Sequence, residues 1–441
     1  LEIIKKSINF AAKNIKKMAE YKQRIADRML QRCLEGIGAV LIEGPKWCGK
    51  TTTAAKHAST VLYMDNPAQM KQNLRMADVN PQALLAGKPP VLIDEWQIAP
   101  KLWDAIRFEV DHRDGPGQFV LTGSAVPAKT DEITHSGTGR FAWLTMRPMS
   151  LYESGDSSGE VSLGRLFHSP DNILGVNQLT LDDMAFLICR GGWPYATTLD
   201  KRLALDQAKY YYDGVTRSDI SRVDGVRRSV ETVKRLMRSY SRHQGAQASI
   251  ATIVADIRAF DEDSADAKTI ASYIDVLKKI FVIEDSMAWN PNLRSKTAIR
   301  TSDTRYFVDP SVAVAALGLG PSDLVGDLHT MGLLFETLCI RDLRVFADVL
   351  DGQIYHYRDK TGLECDAVLH LRNGAYGLIE IKLGGDKLVD EGAATLKTLA
   401  GKIDTERMKA PSFLMVLTAT GRFAYCREDG VYVVPVGCLK D

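Results

Sequence analysis

The eight residues from Gly44 to Thr51, GPKWCGKT, have the types and spacing that cradle phosphate. The glycines free a loop to turn its amide N–H groups inward, Lys50 offers a cation to the β- and γ-phosphates, and the Thr51 hydroxyl is a ligand type for Mg2+. Gly38-Ala-Val-Leu-Ile-Glu43 before it is a short apolar run, and Thr52 to His57 reads as helix. The motif therefore lies between a strand and a helix N-terminus, where positive potential favours an anion. It has the form of a P-loop. The expected contacts to ATP or ADP are Gly44, Pro45, Lys46, Trp47, Cys48, Gly49, Lys50, Thr51 and Thr52, with Trp47 and Cys48 read as local packing within the loop.

A second strand, Pro90-Val-Leu-Ile-Asp94-Glu95, is apolar and ends in two acids, as a buried parallel strand delivering carboxylates at its carboxyl edge would. Asp94 is expected to hold Mg2+, and Glu95 to orient and polarise an attacking water. A third run, Gln118-Phe-Val-Leu-Thr122-Gly-Ser124, ends in polar residues, of which Ser124 is the expected sensor of the γ-phosphate. Arg140, in SGTGR ahead of the strand-like Phe141 to Leu144, is a candidate arginine finger for a neighbouring subunit's nucleotide. That reading requires a homo-oligomer.

These motifs, GPKWCGKTT, VLIDEWQ, FVLTGSA and SGTGR, are followed by GGWP at Gly191 to Pro194 and by ECD and IEIK near the C-terminus. In this order they resemble the prokaryotic AAA-type ATPases that carry a C-terminal domain of unknown function, from about Met18 onward. The resemblance implies an α/β protein: a P-loop AAA-like three-layer core over 18–178, a helical lid or connector with a winged helix over 179–310, and a restriction-endonuclease-like domain of the PD-(D/E)XK kind over 311–441. Residues 1–17 stand outside it, as an extension ahead of Met18 or a lysine-rich amphipathic helix.

In the middle, Leu179 to Ser241 is charged and helical, broken by GGWP. Ser249 to Ile257 and Lys268 to Ile280 read as short helices, the second buried through Ile270, Tyr273, Leu277 and Ile280 at helical spacing. Phe281 to Asp285 reads as a strand, and the succession suits a winged helix. Arg294, Lys296, Arg300 and Arg305 form a basic cluster that could neutralise DNA phosphates, while a solvated face or a protein contact is an equal alternative.

Near the C-terminus, Glu364 to Leu371 and Ala375 to Lys382 are two strands joined through Arg372-Asn373-Gly374, a hairpin signal. Glu380 and Lys382 must share a face because strand side chains alternate. Asp366 and Glu380 are then candidates to bind Mg2+, Lys382 to position the attacking water, and Glu336, from the helical run Leu333 to Ile340, to complete the metal shell. Register decides the matter. A two-residue turn would pair Asp366 with Ile381, whereas a three-residue turn with a left-handed Gly374 pairs it with Glu380, as a cleavage site requires. Tyr357 and Arg358 are candidate substrate contacts. The alternative is an inert fold that binds without cutting.

The 441 residues suggest about three domains, and 45% hydrophobic with 25% charged residues is the composition of a folded globular chain. No run reaches the ~18 apolar residues of a membrane helix and no signal peptide is evident, so a cytoplasmic address is expected. Seven cysteines without a CxxC pair argue against a disulfide framework or zinc site. The net charge of +1 excludes a globally basic protein, so any DNA contact must be local. The expected function is ATP binding and hydrolysis coupled to DNA processing, with a regulatory nucleotide switch or scaffold as the alternative.

Overall fold

The computed structural model describes residues 21–124, 134–168, 173–223, 225–259, 266–291 and 302–441. After helix α1 (Ile25–Gly36), five strands form one sheet: β1 (Ala39–Glu43), β2 (Thr60–Tyr63), β3 (Val91–Asp94), β4 (Phe119–Gly123) and β5 (Phe141–Thr145). Their order is β2-β3-β4-β1-β5, and every neighbouring pair is parallel. The apolar runs have this form because the three inner strands are covered on both faces. Ala39 and Leu41 join one core with Leu102, Trp103 and Ile106 of the helix Leu102–His112, whereas Val40 and Ile42 join another with Leu30 and Leu34 of α1 and Ala54 of helix α2 (Lys50–His57). This is the expected three-layer core. The strand-to-helix step at 44–50 and the acids after β3 both fall at the carboxyl edge, separated by β4.

The middle of the chain is helical: Leu181–Arg190, Lys201–Gly214, Val230–Arg242, Ile250–Arg258 and Ala267–Lys279. In the last of these Ile270, Ile274 and Leu277 are buried, with Ile280 just beyond, while Tyr273 is half-buried and its hydroxyl accepts from Ser229 N. Residues 281–285 do not form the expected strand. Phe281 has φ +59°, and only single antiparallel bridges, Ile283 with Phe307 and Ser286 with Thr304, link the two segments. Helices Pro310–Leu317 and Pro321–Gly326 pack on Leu181–Arg190, so the helical unit runs past the boundary expected at 310.

The C-terminal unit begins with helix α3 (Leu328–Val349). A seven-stranded sheet follows in the order β7-β12-β13-β11-β10-β9-β8, where β7 is Gly175–Val176, β8 Gly352–Arg358, β9 Glu364–Leu371, β10 Tyr376–Lys382, β11 Phe413–Thr418, β12 Phe423–Cys426 and β13 Tyr432–Pro435. Strands β8, β9 and β10 are an antiparallel meander, and helix α4 (Asp386–Lys402) crosses to β11, which pairs parallel with β10. The edge strand β7 and the Val161–Ser162 strand, which pairs with Leu439–Lys440, lie in sequence before the boundary expected at 178. Only β7 joins the seven-stranded sheet, and Val161–Ser162 forms a separate two-stranded one with the chain's last strand.

Buried ion pairs join the units. Arg341 of α3 donates to Asp309 (2.9 Å) and Asp342 (2.8 Å), and all three are essentially inaccessible. Asp309 also accepts from Gly192 N and Asp342 from Leu151 N. Burial pushes the Asp342 carboxyl up to about 6 even with the guanidinium beside it. Arg341→Met strands two buried carboxylates and should destabilise the protein by about 3–5 kcal/mol, read as a fall in urea midpoint. An unchanged midpoint would show that the carboxylates simply protonate at no cost.

Candidate functional site

The phosphate loop is shaped by residues that only particular backbones permit. Gly44 has φ +147°, and a Cβ there would stand 2.1 Å from Met146 O. Gly49 has φ +101° and opens α2. Trp47 is also left-handed, at φ +66°. The expectation of local packing holds for Cys48, which is fully buried, and fails for Trp47, which is 54% exposed and meets Tyr211 of the helical unit edge-on at 6.1 Å.

Lys50 is buried, its ammonium donating to the carbonyls of Gly44 (2.9 Å) and Pro45 (2.7 Å) of its own loop. Thr51 Oγ1 donates to Asp94 Oδ1 at 2.7 Å, and Thr122 on β4 donates to the same oxygen. Asp94 ends β3 in register with Thr122, which is why these groups meet. Glu95 follows with φ +53° and accepts from the Gln97 amide; burial raises its carboxyl pKa, and the neighbouring Asp94 adds to this. A non-glycine residue in this conformation at a site is backbone strain held in place by its surroundings.

A cavity of about 760 Å³ opens over the loop. Its floor is Lys46, Trp47, Gly49, Lys50, Thr51 and Thr52; Glu95 and Ser124 line it from the sheet edge. Thr122 is instead taken up by Asp94. Gly44, Pro45 and Cys48 are not on its wall; their carbonyls accept from Lys50 and Arg24. The roof is Trp193 to Thr198, which brings the GGWP turn onto the phosphate loop: Trp193 stacks on Tyr211 at 4.1 Å, and its Nε1 donates to Ser311 Oγ.

One contributor escaped the sequence reading. Arg24, 3% exposed, donates to Cys48 O (2.7 Å), to Arg147 O (2.8 Å) and to Glu153 (3.0 Å), so one guanidinium ties the phosphate loop to the segment after β5. Glu153 is fixed in turn by the Ser150 capping box. Arg24 lies outside any motif, and only its buried partners mark it.

Arg140 is placed elsewhere. It precedes β5, whose Thr145 is level with Glu43, so it stands at the opposite sheet edge, roughly 16 Å along the strand from the loop. It pairs with Asp111 at 2.9 Å. It cannot touch this chain's own nucleotide.

In the C-terminal unit the register is the one a shared carboxylate face requires. Tyr376 pairs with His370 and Ile379 with Ala367, which sets Glu380 opposite Asp366, and the turn is Arg372-Asn373-Gly374 with Gly374 at φ +82°. Lys382 Nζ lies 2.6 Å from Glu380 and 3.3 Å from Asp366. Burial and then the Asp366 charge push Glu380 up to about 8, and the two carboxylates outweigh burial to hold Lys382 above the usual lysine range. Glu336 accepts from the Tyr306 hydroxyl, and burial followed by the Asp366 charge raises its pKa strongly. Among the described residues no group of three or more His, Cys, Asp or Glu side chains is set to hold a metal ion. Tyr357 and Arg358 line the narrow cleft beside Asp366 and Glu336, Arg358 paired with Glu364 at 2.8 Å.

The expected basic cluster is not available as drawn. Arg294, Lys296 and Arg300 lie outside the described residues, and Arg305 is partly buried, donating to Asp285 (2.7 Å) and Ala248 O. Its charge is neutralised inside the fold and does not reach a phosphate face.

Comparison with known proteins agrees on the first unit. A model described as an AAA domain matches residues 37–155, and two described as domains of unknown function, DUF8612 and DUF4143, match 181–323 and 331–439. Residues 37–155, which hold the phosphate loop, are thus similar to an AAA domain. The description that goes with 331–439 names no activity. Uncharacterized proteins of Mycobacterium bovis and Mycobacterium tuberculosis are each 25% identical over 369 residues, spanning 82% of this chain and 74% of theirs. Among solved structures, the Walker-type ATPase of Pyrococcus abyssi is similar at 14% identity and TM-score 0.39, covering 66% of this chain and 94% of its own. RuvB of Thermotoga maritima is similar at 16% identity and TM-score 0.26, covering 59% and 88%. No helix among the described residues is long and apolar enough to cross a membrane.

Arg24→Lys keeps the charge and cannot make all three contacts. ATP affinity should fall about tenfold, for the loss of one or two charge-assisted bonds that hold the loop. Titration with a fluorescent ATP analogue reads this, and an unchanged affinity would mean the loop keeps its shape unaided.

Proposed function

We propose that the chain binds ATP in the cavity between its phosphate loop and the GGWP turn and hydrolyses it. The observation that carries this reading is the meeting of Thr51, Asp94 and Glu95 at the carboxyl edge beneath a cavity of about 760 Å³, within the size range of small-molecule sites. Lys50, now bonded to loop carbonyls, can exchange those for phosphate oxygens without moving its backbone. The Thr51 hydroxyl and Asp94 carboxylate already share an oxygen contact, so they fit Mg2+, which supplies charge neutralisation of the phosphates when bound. Glu95, oriented by Gln97 and raised in pKa by burial, accepts the proton of the attacking water. Ser124 contacts the terminal phosphate, and Trp193 to Thr198 exclude solvent from the other side.

Glu95→Gln should keep ATP binding and lower turnover by about a hundred- to ten-thousand-fold, the range of a lost general base. Phosphate release measured beside equilibrium binding checks it. Turnover equal to an active wild type would remove Glu95 as the base, and a wild type that binds ATP without releasing phosphate would leave a nucleotide-binding subunit without hydrolysis.

A second reading concerns the C-terminal cleft: metal-dependent cleavage of DNA, coupled to the ATPase. What supports it is the register that puts Asp366, Glu380 and Lys382 on one face, with an ammonium already standing between the carboxylates as a cation would. The order of elements, one helix, a three-strand meander, a helix and a parallel strand, also suits a nuclease-like domain, and the helices 250–258 and 267–279 with the paired segments 283–286 and 304–307 suit a winged helix. Asp366 and Glu380 would hold Mg2+, and Lys382 would turn to the attacking water. Lys382→Ala should abolish strand scission of linear, supercoiled or branched DNA while phosphate release from ATP continues. A wild type that cuts none of these substrates leaves the alternative, a nucleotide switch whose C-terminal fold binds without cutting.

A further inference from the structure

The phosphate loop carries a second lysine whose partner lies outside the ATPase core. Lys46 Nζ is 2.6 Å from Oδ1 of Asp219. Asp219 closes a π-helical turn, Val215–Asp219, that interrupts the helical unit immediately after Lys201–Gly214. Single π turns are uncommon and recur at functional positions. The same helix presents Tyr211, which touches Trp47 next to Lys46 and stacks on Trp193 of the roof. One short segment, 211–219, therefore grips both the loop and its roof.

Lys46 and Glu95 line the same cavity, and the Lys46 charge is among those acting on the Glu95 carboxyl. That places the ammonium on the side of the site where the water-activating acid stands, which is the side of the terminal phosphate. The Lys46 side chain is 44% exposed, and a half-exposed ion pair of this kind is weak enough to exchange. A phosphate oxygen carries more charge than a carboxylate oxygen and offers the lysine a stronger partner. Arg140, at the far sheet edge, cannot supply a cation there in this chain.

Resting on the ATPase reading, we propose that Asp219 and the γ-phosphate compete for Lys46, so that this pair makes the site distinguish ATP from ADP and reports the terminal phosphate to the helical unit. With ADP the Lys46–Asp219 pair stays closed. With ATP the lysine turns inward and Asp219 is released.

The test is a double-mutant cycle on the full chain, with Kd measured for a non-hydrolysable ATP analogue and for ADP. In D219N the analogue should bind about two- to fivefold more tightly, the worth of such an ion pair, with ADP unchanged. In K46M the preference for the analogue over ADP should fall by at least the same factor, and adding D219N to K46M should change nothing further. Thermal unfolding of each variant separates these effects from loss of fold. Equal shifts for both nucleotides in D219N, additive effects in the double variant, or an unchanged ATP-to-ADP ratio in K46M would overturn the competition. Wild type that binds neither nucleotide would overturn the ATPase reading itself, and the proposal with it; K50A losing both nucleotides while wild type binds them separates the two.

Discussion

The carboxylate of Asp309 is the point on which the three units converge. It is fully buried and accepts from Gly192 N, Ser311 N, Ser311 Oγ and the Arg341 guanidinium. An unpaired carboxylate in that position would be untenable, so each donor has to be where it is. Through Gly192 it fixes the GGWP turn that roofs the nucleotide cavity. Through Arg341 it fixes α3, and through Asp342 and Leu151 N the same helix is fixed to the end of the ATPase core. Gly192 has to be glycine there, since a Cβ would lie 2.1 Å from Met149 O.

This explains which parts of the molecule could be read from sequence. The P-loop, the acids after β3 and the polar end of β4 are local consequences of a buried parallel strand ending at a ligand edge, and all three were legible. So was the odd hairpin turn, because period-two alternation leaves only one register with Asp366 and Glu380 on a common face. Arg24, Asp219 and Asp309 were not. Their roles come from partners 24, 173 and 117 residues away in sequence, and a lone charged residue gives no sign of what it will meet. The same blindness made Arg305 look like part of a DNA-facing patch, when its charge is spent inside the fold on Asp285. The strand expected at 281–285 failed for a related reason: its residues are apolar because they pack under the helical unit, where Val282 and Ile283 are buried, and the left-handed Phe281 breaks the ladder before it can form.

Composition does not change near 178, where the chain leaves one sheet for another. Val161–Ser162 pairs with Leu439–Lys440, and β7 forms the far edge of the C-terminal sheet, so the core that carries the phosphate loop and the C-terminal unit are laced together by the chain that separates them in sequence. Arg147, immediately after β5, adds to this by pairing with both Glu284 and Asp348 of α3. Burial opposes the Arg147 charge, and the two carboxylates more than offset it.

The molecule therefore has two kinds of contact around its nucleotide cavity. Those of Arg24, Arg147 and Asp309 are buried, multiply bonded and costly to break, so they hold the loop, the roof and α3 as one body. The Lys46–Asp219 pair and the exposed Trp47 against Tyr211 are peripheral and weakly held. A ligand can bias only contacts whose rupture costs less than its own differential affinity between states. On the competition proposed for Lys46, a signal from the terminal phosphate leaves through the 211–219 segment. The deeper network fixes the geometry against which that segment moves. Glu336 and Arg341 share α3, so the acid on that helix is held by the buried network. The Tyr306 hydroxyl donates to the Glu336 carboxyl, and Gly245 of the helical unit lines the same cleft.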